Sequence, residues 1–320
     1  MVICGGVMKL QQLRYLCEVE KQGLNVSAAA EKLHTSQPGV SKQIRLLEDE
    51  LGIDIFVRNG KRVVEVTEPG KAILAIAGRL LREAENLRLA GKDFSNEGGG
   101  SLVIATTHTQ ARYALPQTVK AFVQRYPGVN LVLHQGNPTQ VAQMVMSGEA
   151  DIAIATETIA EVKAMVSMPC HQWNHGIIVP LRHPLLKEKS LSLEAVARYP
   201  IVTYDTAFAG RSRINRAFER KALAPRVVLT AIDSDVIKTY VELGLGIGIV
   251  ARMAFDPQRD KGLLMLDADH LFESSTTRIG LHRGAYLRGY VYEFIRLFAP
   301  QLTREMVDAT MRGGGADFEL

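Results

Sequence analysis

Residues 27–70 read SAAAEKLHTSQPGVSKQIRLLEDELGIDIFVRNGKRVVEVTEPG, and this stretch decides the amino-terminal fold. Ser36 stands before Gln37-Pro38 as the natural N-cap of a helix running to about Leu51. Pro38 falls in the first turn, where backbone amides have no helical partner to lose. Val40, Ile44, Leu47 and Leu51 recur on one face of that helix, while Gln37, Ser41, Lys42 and Arg45 share the other. Upstream, a short helix from Val26 to about Leu33 holds Ala28, Ala29 and Ala30, small residues that let another helix pack close. Asn25 caps it, and Gly23 ends an earlier amphipathic helix patterned by Leu10, Leu13, Leu16 and Cys17. Helix, tight turn at His34-Thr35-Ser36, and helix make a helix-turn-helix. Ile55-Phe56-Val57 and Val63-Val64 then read as strands joined across Asn59-Gly60, residues that tolerate the positive φ of a tight hairpin. With Arg58, Lys61 and Arg62 on that hairpin, the motif is winged.

Charge distribution says more than total charge. The 320-residue chain nets only +4, and residues 8–62 net only +2. Within the face formed by 36–45 and 58–62, however, every charge is basic, as a duplex-binding surface requires. The three cysteines, Cys4, Cys17 and Cys170, are too few for a disulfide scaffold and fit a reducing compartment. No apolar run is long enough to span a bilayer, and MVICGGV does not read as a secretory signal, so a cytoplasmic protein is expected. Regular helical patterning begins only at Met8, and residues 1–7 read as an extension.

Thr67-Glu68-Pro69-Gly70 opens a helix expected to reach about Ala90. Ile73, Ala77, Leu80, Ala84 and Leu87 form a heptad seam along it. That seam favours a dimerisation helix; the alternative is a helix packed on its own domain. Residues 96–100 are Gly-rich and read as a hinge. From Ser101 the pattern becomes strand 102–105, helix 111–125, strand 129–134, helix 139–146 and strand 152–155, an order that implies a parallel sheet. The order is expected to recur through strand 176–180, helix 192–198, strand 200–204, helix 211–222, strand 226–230, helix 234–243 and strand 246–250. A last helix is expected over about 286–310, followed by a disordered tail at Gly313, Gly314 and Gly315. Two α/β lobes with a cleft between them result.

TTHTQ, residues 106–110, lies beyond the carboxyl end of the first strand and at the start of a helix, where such sheets bind ligands. Its hydroxyls, amide and helix-end N–H groups suit an oxyanion held without a full counter-charge. Thr156 follows strand 152–155 into the same crevice, and Thr203 at the end of 200–204 is a weaker candidate. The alternative for these threonines is turn capping.

Several segments together resemble the LysR-type transcriptional regulators: MKLQQLRYL (8–16), TSQPGVSKQIRLLEDELG (35–52), IATTHTQARYALP (104–116), HQGNPTQ (134–140), DVIKTYVELGLGIG (235–248) and FAPQLTREMVD (298–308). The resemblance covers nearly the whole chain from Met8 and points to the branch governing the cysteine regulon; a paralogue controlling sulfonate-sulfur use would look much the same. It implies an α/β protein with an N-terminal winged helix-turn-helix over 8–66, a linker helix over 67–95, and a two-lobed, periplasmic-binding-protein-like effector domain over 99–310. The lobes are expected at about 99–167 with 272–310, and at 168–271. It further implies promoter DNA contacts from Ser36, Gln37, Pro38, Ser41, Lys42, Arg45 and Arg58, the last near the minor groove or backbone. Thr107, Thr109, Gln110 and Thr156 match residues that line the effector pocket, for N-acetylserine or O-acetylserine with sulfate or thiosulfate as competing anions. On the opposite lobe this branch usually has Thr before Gly-Arg-Ser; here Ala209 stands there, removing one hydroxyl. RNA polymerase as partner and a homotetramer built on a dimer are also implied, with no cofactor and no enzymatic activity.

Other chemistries find less support. Gly244-Leu245-Gly246-Ile247-Gly248 follows a helix and precedes a strand, the reverse of a dinucleotide loop. Cys170, His171 and His175 lack metal-site spacing, Trp173 reads as lobe packing, and no nucleophile elbow is present. A solute-binding module would need neither the winged motif nor the linker helix.

Overall fold

A computed structural model of the chain describes residues 8–60, 62–94 and 99–313, with backbone alone at 92–94 and 209. The extension 1–7, Lys61, residues 96–98 of the expected hinge and Gly314-Gly315 lie outside the described residues. The chain divides into two compact units at residues 95/96.

The first unit contains α1 (Leu10–Lys21), α2 (Val26–Lys32), α3 (Gln37–Leu51), the hairpin β1 (Phe56–Asn59) and β2 (Arg62–Val66), and α4 (Glu68–Phe94). Asn25 accepts hydrogen bonds from the amides of Ser27 and Ala28, and Ser36 accepts one from Gly39, so both helix starts are capped by the expected residues. Leu13, Leu16, Ala29, Ala30, Val40, Ile44, Leu47, Ile55 and Phe56 form one core, which α4 joins through Leu74 and Ala77. Helix α4 can lie this close because residue 70 is glycine: a Cβ there would stand 2.2 Å from the carbonyl oxygen of Ile55. The heptad seam divides accordingly. Ile73 and Ala77 face their own unit's core, whereas Leu80 and Leu87 are 41% and 75% exposed.

The second unit is built on two five-stranded sheets. The first, ordered β4-β3-β5-β12-β6, uses β3 (Gly100–Thr106), β4 (Val129–Gln135), β5 (Ile152–Ala155), β6 (Met165–Trp173) and β12 (Ser275–His282). The second, ordered β11-β7-β10-β8-β9, uses β7 (His175–Pro180), β8 (Ile201–Tyr204), β9 (Val227–Ala231), β10 (Ile247–Ala251) and β11 (Leu263–Asp267). Strands β3, β4 and β5 are mutually parallel, as their crossover helices demand. Strand β12 runs antiparallel to both β5 and β6, and β7 runs antiparallel to β10 and β11, so both sheets are mixed. Asn174 alone separates β6 from β7, so the chain passes directly from the first sheet into the second at that point.

Helices also depart from periodicity. The expected helix 111–125 begins as a π-turn over Gln110–Ala114 before α5 (Pro116–Arg125). Helix α6 (Pro138–Ser147) precedes β5, and α7 is only Leu193–Val196. Helices α8 (Ala209–Glu219) and α9 (Ser234–Glu242) flank β9. The expected 286–310 helix is two, α10 (Gly289–Phe298) and α11 (Arg304–Met311), because Pro300 lacks the amide needed to continue and Thr303 caps a new start. Among the described residues no helix is long and apolar enough to cross a membrane.

Candidate DNA interface and effector cleft

Helix α3 presents the face its sequence predicts except at its last residue, where Leu51 is exposed rather than packed inward. Val40, Ile44 and Leu47 are buried, while Ser36, Pro38, Lys42 and Arg45 are exposed and Gln37 and Ser41 half-buried. The Gln37 side-chain amide donates to Ser41 Oγ at 3.1 Å, which orients one polar pair along the face. The same pattern that buries three aliphatic residues therefore projects a Gln, a Ser, a Lys and an Arg outward, groups suited to base edges and phosphates.

Arg58 is placed differently. Its Nη2 lies 2.6 Å from Glu48 Oε2 and its Nη1 3.2 Å from Oε1, a two-pronged pair linking β1 to α3. Glu48 is 5% exposed, and its Oε1 also accepts the backbone amides of Ile55 (2.8 Å) and Phe56 (3.1 Å). The carboxylate thus gathers the loop and the first wing strand onto the helix. Glu48 is buried whereas the neighbouring Asp49 and Glu50 are exposed; its position one residue after Leu47, one turn beyond Ile44, is the signal the sequence offers for that burial.

In the second unit, Thr107, Thr109, Gln110 and Thr156 come together in a cleft with Trp173, Tyr204, Phe208 and Gly210, about 360 Å³ with its open mouth. The first four project from the ends of β3 and β5; Tyr204, Phe208 and Gly210 come from the end of β8 and the start of α8. No lining side chain is charged. Gln110 is 1% exposed; its Nε2 donates to Thr277 Oγ1 at 2.9 Å, and its Oε1 is buried without a hydrogen bond. Trp173 belongs to this wall rather than to lobe packing alone, and its indole N–H is likewise buried and unbonded. Phe208 occupies the N-cap of α8 and offers no side-chain cap, which leaves the leading amides of that helix to a ligand.

Thr203 is not brought into this group: it is fully buried, and its hydroxyl donates to the Ile249 carbonyl within the sheet at 3.1 Å. The Ala209 side chain lies outside the described residues, although its neighbours Phe208 and Gly210 line the cleft. Tyr204 is fixed by its hydroxyl, which accepts from the Ala251 amide at 2.9 Å and lies 2.8 Å from Ser234 Oγ. Behind the wall, His175 is completely buried with neither ring nitrogen hydrogen-bonded, and burial, aided by the charge of Arg213, pushes its pKa down to about 4. Burial pushes the Cys170 thiol up to about 12, so it offers no ready thiolate for metal. Donor atoms of His108, Asp233 and Asp235 lie within 4.8 Å of one another, yet Asp235 is already paired with Arg112 and Lys238.

Comparison with known proteins agrees with both halves of this geometry. Residues 10–71 match the family described as bacterial regulatory helix-turn-helix protein, lysR family, and residues 95–303 match the LysR substrate binding domain. The HTH-type transcriptional regulator SsuR of Burkholderia cenocepacia is 53% identical over 305 residues, covering 95% of this chain and 99% of that protein. The HTH-type transcriptional regulator CysB of the same organism is 52% identical over 313 residues, covering 98% and 100%. The crystal structure of the cofactor-binding domain of the Cbl transcriptional regulator aligns with a TM-score of 0.65 at 46% identity, covering 68% of this chain and 95% of that one. With a capped recognition helix, a wing and a two-lobed ligand unit all present, the chain belongs to the LysR family of bacterial helix-turn-helix transcriptional regulators.

Proposed function

We propose that this protein is a cytoplasmic, ligand-responsive regulator, mainly an activator, of sulfur-assimilation and cysteine-biosynthesis genes. Residues 8–66 bind promoter DNA, 67–95 form a dimerisation helix, and 99–310 bind the effector. Gln37, Ser41, Lys42 and Arg45 meet bases and phosphates, with Ser36 and Pro38 setting the helix start against the backbone. Arg58 reaches the duplex only through the wing that Glu48 holds. The assembly is a homo-oligomer, a tetramer of paired dimers, that engages RNA polymerase at the promoter.

The observation that carries the effector reading is the cleft's composition: three threonines, a buried amide oxygen, an indole N–H, an uncapped helix start and no charged side chain. Such a wall holds a small oxyanion or an acetylated amino acid by hydrogen bonds alone, which fits N-acetylserine, O-acetylserine, sulfate and thiosulfate. Ligand bound between lobes biases their closure, and closure alters the spacing of the DNA-binding heads and the bend they impose. A second reading, control of sulfonate-sulfur use, is favoured by Ala209, which removes a hydroxyl from the expected pocket.

Trp173 is the sole tryptophan and lines the cleft, so its fluorescence tests the site directly. Saturable change with an acetylserine or sulfate, lost in Thr107→Val and Gln110→Leu, is expected. An unresponsive wild-type protein would overturn the effector assignment. Footprinting on sulfur-assimilation promoters against sulfonate-utilisation promoters separates the two gene sets.

A further inference from the structure

Charged bridges join the lobes beside the cleft, two of them next to ligand-wall residues, while farther along α8 Glu273 also pairs with Arg213, Arg216 and Arg220. In one of the two, Asp235 at the start of α9 receives the Tyr113 hydroxyl at 2.7 Å and pairs with Arg112, both from the π-turn that carries Gln110. Lys238, 8% exposed, stands 3.2 Å from the same carboxylate and 5.3 Å from the centroid of the Tyr113 ring. Lys238 is itself anchored, donating to the Ala254 carbonyl at 2.9 Å and pairing with Asp260 at 3.0 Å. In the other bridge, Glu157, next after Thr156, accepts from Arg213 of α8 at 2.9 Å and from the Thr276 amide. Arg213 lies one turn beyond Gly210 of the cleft wall.

Each of these two bridges therefore ties a residue adjoining the first lobe's ligand wall to one adjoining the second lobe's. The link is short on both sides. Gln110 precedes Tyr113 by three positions, and Ser234, beside Asp235, holds the hydroxyl of cleft residue Tyr204. The Arg213–Glu157 bridge is partly withdrawn from water, at 18% and 27% side-chain exposure, and in the other bridge Asp235 is 35% and Arg112 48% exposed. An ion pair as withdrawn as the former is screened less than a surface pair, and breaking either bridge frees one lobe edge.

We infer that Asp235 and Arg213 are positioning residues that hold the cleft closed before ligand arrives and so set effector affinity without touching effector. The inference rests on the proposed ligand reading of this cleft. A ligand that binds the closed form has an apparent Kd equal to its intrinsic value divided by the closed fraction. Removing one bridge lowers that fraction, and apparent affinity falls by about fivefold to tenfold, at the low end of the usual range of coupling effects. Removing both lowers it further.

The test uses the full chain. Trp173 fluorescence is titrated with O-acetylserine and with sulfate in wild type, Asp235→Asn, Arg213→Met and the double variant. Tyr113→Phe, which deletes one hydroxyl, serves if a charge variant does not fold. Independently of any ligand, hydrogen exchange is followed at 110–115 and 209–213, with strands β3 and β8 as controls. Expected are faster exchange at those two segments alone and weaker binding in each variant. Unchanged affinity, or exchange that rises equally in the strand cores, overturns the proposal. A wild type that binds neither probe overturns the ligand reading instead, and the exchange data alone then decide whether the bridges hold the lobes.

Discussion

Replacing Arg58 by Met tests whether the wing is tied to the recognition helix or offered to DNA. Removing one partner of a buried ion pair costs about 3–5 kcal/mol. Here Arg58 is 21% exposed, and Glu48 keeps the amides of Ile55 and Phe56, so solvent and residual donors offset part of the loss. About 2 kcal/mol is left after that discount for screening. For a unit of this size, that lowers the melting temperature by about 10 °C. Far-UV circular dichroism follows the helices of both units, whereas fluorescence of the sole tryptophan, Trp173, follows the effector unit alone, so dichroism lost ahead of fluorescence reports the DNA-binding unit. The dichroism transition of Arg58→Met should move and the fluorescence transition should not. Operator affinity should fall, yet the slope of log K against log salt should stay constant, because no phosphate contact is lost. A slope smaller by about 0.9 with an unmoved dichroism transition would refute the tether and make Arg58 a phosphate ligand.

Gln37→Ala or Arg45→Ala should cost about 1–3 kcal/mol on cognate DNA where the side chain reads a base. Gel-shift titrations giving equal losses on cognate and random duplex would leave that residue a phosphate contact. His175 lowers stability in acid: its folded pKa of about 4 lies below its ordinary 6.5, so the folded state binds fewer protons than the unfolded one. Its contribution is whole above pH 6.5 and is lost as pH falls through about 4, on the order of 3 kcal/mol in total. Urea titrations of His175→Phe between pH 4 and 7 should show a flatter acid limb, and no hydrogen bond is lost because neither ring nitrogen has one. Leu80→Glu with Leu87→Glu, at exposed positions of α4, should dissociate the oligomer in mass photometry while leaving the helical spectrum intact.

Pro300 shows how local periodicity overreaches. The apolar spacing across 286–310 continues through it, but the missing amide ends α10 at Phe298. Strands β6 and β12 went unread for the opposite reason. Each is the other's partner across more than a hundred residues, pairing Ser275 with Trp173 and His282 with Met165, and nothing local marks either as a strand. Trp173 reads as packing in isolation because its place in the cleft depends on the crossover from β6 to β7. Thr203 looks like its companions at strand ends, yet its hydroxyl turns to Ile249 in the neighbouring strand.

The amino-acid sequence alone determined the capped helices of the DNA-binding unit, the outward face of α3 and the threonine cluster at the end of β3. These depend on caps, turns and side-chain periods acting within a few residues, and such interactions are written in neighbouring letters. Tertiary structure alone decided that Glu48 is buried beneath Arg58, that Gln110 bonds Thr277, and that Tyr113 meets Asp235 across the lobes. Those pairings carry their free energy only after distant segments have folded together, where burial makes each polar group depend on the partner it finds.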